Sequence, residues 1–567
     1  MASTLMFKNK KIKKLSVILI VLSTILFSLT MFRSGLKYQF GLGFWGPNGH
    51  DAIWHLSLIN QLKQQIPPQN PIYSGSILQN YHWGFDFLVA IISKITTIDS
   101  GFLYFQILPI IFSLLIGFLS FKLAFLITKN NITSIFFVLL NYFSGSFGWI
   151  YTLIKNHQIG GESLFWSMQS VSTLLNPPFA LSLIVILLGL ILWLKHHNSN
   201  SIKIAILIGM IFALLSGIKV YAGILIGLAL SCYWLYNAIR SKKIFGFNFI
   251  ICLVMGLISL LILFGLGVLK GGQLLEFKPF WFTHSMIESL DKFYLPKLAS
   301  FRFNQTNILI SAILEIGLVF IFLIGNLGTR FLGFFTIFSK TVKKEINDFD
   351  KLIIFIFIFS FLTPLLFIQK GTAWNTIQFF YYFLFFANFY FAQFLSKLWS
   401  KHKTLVSILL LISCLTSFST LKDYFGNPPP SSLPNSEIEA LNFLKNQNDG
   451  FVLTYPYDKY EKDKMTTPIP LYAYETTAYV SAFSGKQTFL EDEMNLDITG
   501  FNWQQRRAEE EKFFSSTDQF FARGFLVNNS IDYIYLVSDQ KFSLSTFDLQ
   551  INEIFNNSQV RIYKVQR

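Results

Sequence analysis

Asp51 lies between two histidines in the stretch GPNGHDAIWHLSLINQL at 46–62. A carboxylate in such a setting can take a proton from a substrate hydroxyl and act as a general base. The apolar spacing that follows predicts an amphipathic helix ending before Pro67 and Pro68. Asp51 would then occupy the first helical turn, where the helix dipole favours a negative charge. The residues alone leave two interpretations open, a catalytic base and a helix cap.

Imidazole and carboxylate groups in the same region raise the alternative of a metal site. His50, His55, His82 and Asp86 are standard ligand types, but their spacing matches no specific metal motif. Contacts to an acceptor or a phosphate, or plain hydrogen bonds, are therefore favoured over metal binding. Glu315 lies inside an apolar run, where a charge is costly and suggests a function. A hydrogen bond between helices is the alternative for Glu315.

A cation next to an apolar run is a candidate contact for an anionic group of a substrate. Lys219, in SGIKVYAG, lies between two apolar runs where an ammonium is costly unless paired or wetted. A lysine that extends to the membrane surface is the alternative there. Arg302, in ASFRFNQT, could hold a lipid phosphate with two parallel hydrogen bonds, or simply contact a headgroup. The full set of candidate cations is Lys219, Lys270, Lys278, Lys297, Arg302 and Lys370.

The segment KGTAWNTIQFFYYF at 370–383 places a polar cluster between two apolar runs. Its members Trp374, Asn375 and Gln378 could stack on a sugar and hydrogen-bond its hydroxyls. The same residue types are also the ordinary content of the belt at a membrane interface. We include these three residues among the predicted substrate contacts and leave both interpretations open.

The elements that must position these residues are membrane-spanning helices. Hydrophobic residues make up 52% of the 567-residue chain and charged residues only 14%, and the apolar residues fall in runs near the roughly 20 that cross a bilayer. The prediction is an α-helical multi-pass membrane protein with about eleven spans. They lie at 15–32, 102–127, 132–154, 172–194, 204–217, 220–238, 246–268, 306–327, 352–369, 376–395 and 404–421, and the short fifth and sixth could form a hairpin.

Basic residues set the orientation, because they collect on the cytoplasmic side of spans. Lysines between positions 8 and 14 precede the first span, which predicts a cytoplasmic N-terminus, a retained anchor and a location in the cell (plasma) membrane. Alternation then places Asp51 and the C-terminal domain outside. The net charge of +15 does not indicate nucleic acid, since the chain from Lys422 onward has 14 Lys and Arg against 20 Asp and Glu. The excess lies near inner loops, where membrane lipids are the expected partners.

The apolar runs stop near residue 421. The predicted domains are a membrane domain at 1–421 with a long first external loop at 33–101, a linker at 422–434, and an extracytoplasmic α/β domain at 435–567. In the last, the sequence predicts strands at 450–457, 531–537 and 560–565 and helices at 503–514 and 517–527. The acidic run EDEMNLD at 491–497 could bind a cation, but a solvated face is favoured. Arg506 and Arg507 could contact lipid or sugar phosphates, but a helix-surface pair is favoured.

A long first loop after an anchor span, with an aspartate that begins an amphipathic helix, resembles the GT-C class of integral-membrane glycosyltransferases and its bacterial relatives. The stretch PIYSGSILQNYHWGFDFLVAIISKIT at 71–96 and the plan of many spans followed by an external domain are similar to this class too. The resemblance implies sugar transfer from a polyprenyl-phosphate donor on the outer face, with Asp51 as the acid that deprotonates or orients the acceptor. Ala52 occupies the position next to Asp51 at which several branches of this class have a second acid. Dependence on a divalent cation is therefore an open alternative, and no cofactor is expected.

Two other function classes remain open. A transporter or flippase of an amphiphilic envelope precursor would carry matched internal repeats, which the sequence does not show. A non-catalytic membrane scaffold would use the α/β domain to bind partners. The enzyme hypothesis expects a cell-envelope or protein acceptor and a lipid-linked sugar donor.

Overall fold

The computed structural model describes residues 10–199, 201–267, 275–557 and 559–566, so Lys8 and Lys270 lie outside the described residues. The chain forms two compact units. The helical unit comprises Met1–Thr30, Pro109–Leu263 and Gln273–Gly426, and the mixed unit comprises Met31–Leu108, Phe264–Gly272 and Asn427–Arg567.

Apolar helices dominate the chain, as predicted. Among the described residues, nine are long and apolar enough to cross a membrane: Lys14–Phe32, Ser100–Thr128, Pro177–His196, Val220–Ser241, Phe247–Gly265, Ile308–Val342, Asp348–Leu366, Ala373–Trp399 and Lys403–Gly426. The third predicted span is a pair, Asn131–Phe143 and Gly148–Asn156, bent by 48°, and the fifth is the shorter helix Ile202–Ile218. The multi-pass helical class is thereby confirmed, while the number of crossings stays a prediction.

Shorter elements connect these helices within the helical unit. They are the helices Gln169–Leu175, Trp281–Glu288 and Pro296–Asn304, and an antiparallel pair of strands, Leu275–Phe277 with Phe367–Gln369. The helix Ile377–Trp399 forms the core, and its side chains from Phe379 to Ala392 are all buried. A helix that is apolar on every side must be surrounded by other helices, which explains its run of aromatic residues.

Arg330 and Asp350 are among the charged side chains that are buried inside the helical unit. Arg330 is 2% exposed and donates hydrogen bonds to the carbonyl oxygens of Asn326 (2.7 Å), Leu327 (2.8 Å) and Gly145 (2.9 Å), and to Ser144 Oγ (3.2 Å). Asp350 is fully buried and accepts from Lys340 Nζ at 2.9 Å and from the Tyr390 hydroxyl at 3.0 Å. Buried charges need such partners, so both residues hold helices together.

The mixed unit contains two four-stranded sheets. In the first, Gly41–Phe44 pairs antiparallel with Lys37–Tyr38 and with Ser431–Pro434, which pairs in parallel with Ile469–Pro470. The second has the order Phe451–Leu453, Ile531–Val537, Val560–Val565 and Ile551–Asn556, and only its first pair is parallel. The helices of this unit are Asp51–Gln64, Gly84–Thr96, Asn435–Lys445, Leu471–Tyr474, Tyr479–Ser484, Glu493–Thr499, Gln504–Ser515, Gln519–Asn528 and Thr546–Leu549.

Most predicted C-terminal elements have a counterpart. The strands Ile531–Val537 and Val560–Val565 match the prediction, whereas the first strand is only Phe451–Leu453 and the strand Ile551–Asn556 was not predicted. The strand Gly41–Phe44, before most of the helical unit, pairs with Ser431–Pro434, which follows it. The predicted domain boundaries stay predictions.

Glu437 makes the stability of the mixed unit depend on pH. This carboxyl is 1% exposed, and the Tyr535 hydroxyl donates to it at 3.2 Å. Burial raises the pKa of Glu437 from 4.5 to about 7. Between these pH values the folded state binds one proton more than the unfolded state. The free energy of unfolding therefore falls as the pH rises from 4.5 to 7, by about 3 kcal/mol at most.

A Glu437→Gln variant should not show the fall in the free energy of unfolding that the Glu437 carboxyl causes between pH 4.5 and 7. We expect its melting temperature in detergent to match wild type near pH 4.5 and to exceed it at pH 8, as measured by scanning fluorimetry over a pH series. Glu439→Gln, an exposed carboxylate on the same helix, is the matched control and should follow the wild-type curve. A wild-type pH profile in Glu437→Gln would show that this carboxyl is not the source.

Candidate functional site

The helix predicted after Asp51 extends over Asp51–Gln64 and begins at that aspartate. His50 occupies the cap position, and no side-chain hydrogen bond caps this end of the helix within the described residues. The Asp51 carboxylate instead accepts from the neighbouring ring, with His50 Nδ1 at 2.9 Å from Asp51 Oδ1, and its side chain is 58% exposed. The geometry therefore does not support the interpretation of Asp51 as a helix cap.

His50 is buried between two carboxylates. Its Nδ1 faces Asp51, and its Nε2 lies 3.3 Å from Asp492 Oδ1. Burial disfavours the charged ring, but Asp492 and Asp51 outweigh that cost and hold the pKa of His50 well above 6.5. The raised pKa favours the protonated ring, in which Nδ1 donates to Asp51 Oδ1. This hydrogen bond holds one oxygen of the exposed Asp51 carboxylate.

The other predicted first-loop residues form separate contacts. His55 Nδ1 lies 2.7 Å from Asp86 Oδ1, and both side chains are buried. The His82 ring stacks on Tyr81 with the centroids 4.9 Å apart. In the described part of the chain, no group of three or more His, Cys, Asp or Glu side chains could hold a metal ion.

Lys219 is buried in the helical unit, with 4% of its surface exposed. It is the single extended residue between the helices Ile202–Ile218 and Val220–Ser241, and its Nζ donates to Asn176 Oδ1 at 3.3 Å. Asn176 donates to Gln378 Oε1 at 3.2 Å, and Gln378 donates to Asn375 Oδ1 at 3.1 Å. The fold therefore joins three predicted contact residues through Asn176. The burial of Lys219 argues against a side chain that extends to the membrane surface.

Arg302 has partners within the protein rather than an open guanidinium. Its Nη2 donates to Glu288 Oε1 at 2.6 Å, and its Nη1 lies 4.0 Å from Glu315 Oε1. Glu315 also accepts from His284 Nε2, at 2.8 Å and 2.9 Å to its two oxygens. The helix-to-helix hydrogen bond, one of the two interpretations of Glu315, is thus present. Lys370 and Trp374 are exposed.

Asp492 is the site residue that the sequence reasoning missed. Its acidic run was predicted to be a solvated face, but Glu491 is 8% exposed and Asp492 is 1% exposed, so this prediction was wrong. The prediction for Arg506 and Arg507 was also wrong. Arg506 lies 3.5 Å over the Tyr73 ring, and Arg507 pairs with Glu493 at 3.1 Å. Asp492 and Arg506 face partners from distant segments, His50 and Tyr73.

Comparison with solved structures identifies a related fold. The oligosaccharyltransferase of Archaeoglobus fulgidus, tethered to an acceptor peptide containing the NVT sequon, superposes with a TM-score of 0.52 at 13% identity, over 94% of this chain and 69% of that one. The fold is similar to that of a GT-C-type enzyme. The same enzyme in complex with Zn and sulfate superposes with a TM-score of 0.51 at 12% identity, over 92% of this chain and 68% of that one. Its apo form superposes with a TM-score of 0.50 at 11% identity, over 92% of this chain and 69% of that one.

Neither a protein-family model nor a curated protein matches the sequence. At these identities the similarity establishes the fold and not the activity. It agrees with the resemblance noted in the sequence at the level of the GT-C class. The roles of individual residues must therefore be argued from their own geometry.

Proposed function

We propose that this protein is a membrane glycosyltransferase that moves a sugar from a polyprenyl-phosphate donor to a cell-envelope or protein acceptor on the outer face. The supporting observation is the exposed Asp51 carboxylate, held through Oδ1 by the buried His50 ring, which Asp492 contacts in turn. A base must be reachable and oriented, and Asp51 meets both conditions. The fold similarity to an oligosaccharyltransferase adds support at the level of class.

In the proposed reaction the acceptor proton moves to the Asp51 carboxylate as the acceptor atom attacks the anomeric carbon of the sugar. The bond between that carbon and the phosphate oxygen breaks, and its electron pair leaves with the lipid phosphate. His50 keeps the carboxylate in one orientation throughout. No step requires a general acid, because a phosphate leaves as an anion.

Lys219 is our proposed contact to the donor phosphate. Its ammonium is held by the neutral amide of Asn176 and lies 5.4 Å from the centroid of the Tyr221 ring. A phosphate would add a charge-assisted hydrogen bond at low dielectric. The amides of Asn375 and Gln378, which continue the same network, supply neutral donors and acceptors for sugar hydroxyls.

A transfer assay tests the proposed function. Purified full-length protein in lipid vesicles is incubated with envelope fractions and a panel of polyprenyl-phosphate donors that carry a radiolabelled sugar. We expect label to move from the organic-soluble lipid to an acceptor only when the protein is present. If every donor in the panel keeps its label although the protein is folded and correctly inserted, the glycosyltransferase function is contradicted.

Lys219→Met should weaken use of the donor. Loss of one charge-assisted hydrogen bond to phosphate predicts a fall of about ten- to hundredfold in kcat/KM for the donor, with a smaller change in the KM for the acceptor. The measurement is initial transfer rate against donor concentration. Lys397→Met removes an exposed lysine and should leave both constants unchanged. An unaltered kcat/KM in Lys219→Met would remove Lys219 from the site.

A further inference from the structure

The C-terminal segment of the mixed unit encloses a cavity of about 260 Å³ that the proposed reaction does not use. All of its lining residues lie between Thr454 and Gln540. The volume is sufficient for a side-chain-sized group and far exceeds what one water molecule needs. The lining combines carboxylates with tyrosines and is almost without positive charge.

The imbalance of charge is the first observation. Eight lining residues are aspartates or glutamates, and Arg507 is the one lining cation. Its guanidinium is already engaged: Nη1 lies 3.1 Å from Glu493 Oε1, Nε donates to Glu511 at 2.8 Å, and Nη2 donates to the Tyr457 carbonyl. The same Nη1 also lies 3.9 Å from Glu510 Oε2, so one guanidinium is shared between two carboxyls of the lining. Outside the lining, Lys464 pairs with Glu461 and His50 contacts Asp492. The acids of the lining therefore still outnumber the cations that contact them.

Unsatisfied polar atoms are the second, independent observation. Glu510 is 1% exposed and Thr477 is 5% exposed, and both line the cavity. Glu510 Oε1 and Thr477 Oγ1 are buried without a hydrogen-bond partner among the described residues. Buried polar groups are nearly always paired in folded proteins. Two orphaned atoms in one cavity wall indicate a donor that the protein itself does not supply.

The pKa values of two buried carboxyls in the cavity lining agree with the excess of acids over cations there. Burial raises the pKa of Glu491 to about 8 and holds the pKa of Glu510 well above its usual range. At both positions the raised pKa favours the protonated, neutral carboxyl. A bound cation would displace those protons and gain ionic hydrogen bonds in a low-dielectric site.

The shape and chemistry of the wall favour an organic cation over a metal ion. Five tyrosines, at 455, 457, 472, 479 and 535, line the cavity, and aromatic faces attract ammonium and guanidinium groups. The described residues offer no cluster of metal ligands. Because Glu510 is deep, a charge on a long alkyl stem reaches it more easily than an amine attached directly to a sugar ring. These features fit a lysine or arginine side chain.

A residue of the cavity lining is connected to the proposed base through His50. Asp492 lines the cavity, its Oδ1 lies 3.3 Å from His50 Nε2, and His50 Nδ1 lies 2.9 Å from Asp51 Oδ1. We propose that the cavity binds a basic side chain of a peptide acceptor and so places a neighbouring acceptor group beside Asp51. This inference rests on the proposed function, since it assigns an acceptor to the same site.

The test measures binding separately from transfer. Full-length protein in detergent is titrated with N-acetyl-lysine methylamide, the neutral N-acetyl-norleucine methylamide and glucosamine, and binding is followed by ligand-detected NMR. We expect the lysine probe to bind at least about tenfold more tightly than the other two. Equal binding of the lysine and norleucine probes, or tighter binding of glucosamine, would overturn the inference.

Substitutions in the cavity lining test whether the lysine probe binds there. Glu510→Gln should lower the affinity for the lysine probe at least about tenfold, while Glu509→Gln, next to it on the helix and outside the cavity lining, should not change it. Glu475→Gln, at a half-buried lining position, provides the same test if Glu510→Gln does not fold. Unchanged affinity in a folded lining variant would overturn the inference.

The two proposals can fail separately. Asp51→Asn should keep full affinity for the lysine probe, because Asp51 does not line the cavity. If Asp51→Asn loses transfer but wild type does not bind the probe, the function stands and the cation site is refuted. If the probe binds as expected but Asp51→Asn transfers normally, the cation site is supported and the catalytic role of Asp51 is refuted.

Discussion

Asp51→Asn is expected to lose at least about a hundredfold in the rate of sugar transfer, the usual size of a general-base contribution. The amide cannot take up the acceptor proton, yet its oxygen can still accept from His50 Nδ1, which lies 2.9 Å from Asp51 Oδ1. The helix Asp51–Gln64 should therefore keep its position. The measurement is single-turnover transfer with a preloaded lipid donor.

Asp99→Asn is the matched control for this variant. It removes the same charge from the same predicted first loop, where Asp99 caps a helix by accepting from the Phe102 amide at 3.0 Å. Asparagine caps helices as well as aspartate does, so its activity should equal that of wild type. A wild-type rate in Asp51→Asn would rule out Asp51 as the base.

Arg330→Lys is expected to reduce the stability of the helical unit more than any surface substitution. Three guanidinium nitrogens of Arg330 bond to four separate acceptors on two segments, at 144–145 and 326–327. One ammonium on a shorter stem cannot reach them all. Leaving buried groups without partners costs about 3–5 kcal/mol, which predicts a markedly lower melting temperature and a low yield of monodisperse protein.

Lys343→Met controls for the loss of a basic residue nearby, since Lys343 is exposed. It should retain the wild-type melting temperature and elution profile in detergent. If Arg330→Lys behaves in the same way as this control, the hydrogen bonds of the buried guanidinium do not hold these segments together.

Most of what could be predicted from the sequence came from local patterns of residue types. Apolar runs revealed the helices because a bilayer imposes one length on every span, and the prolines after Gln64 ended the helix where the structure ends it. The strand Ile531–Val537 was evident from its β-branched and aromatic residues. Each of these signals lies within a few residues of the element that it specifies.

The partners of individual charges could not be predicted in this way. His50 meets Asp492, and Arg506 stacks 3.5 Å over Tyr73, although hundreds of residues separate each pair. A single sequence gives no sign of such pairings, so buried acids in EDEMNLD were mistaken for a solvated face. Lys219 was recognised as unusual, but Asn176, the residue that joins it to Gln378, was not.

The antiparallel pairing of Gly41–Phe44 with Ser431–Pro434 constrains the order of events during biosynthesis. The first strand leaves the ribosome early and must wait, unpaired, while the intervening helices are made and inserted. Asp492, the second partner of His50, is synthesised later still. A nascent chain therefore carries His50 and Asp51 without the carboxylate of Asp492 until that residue has been translated.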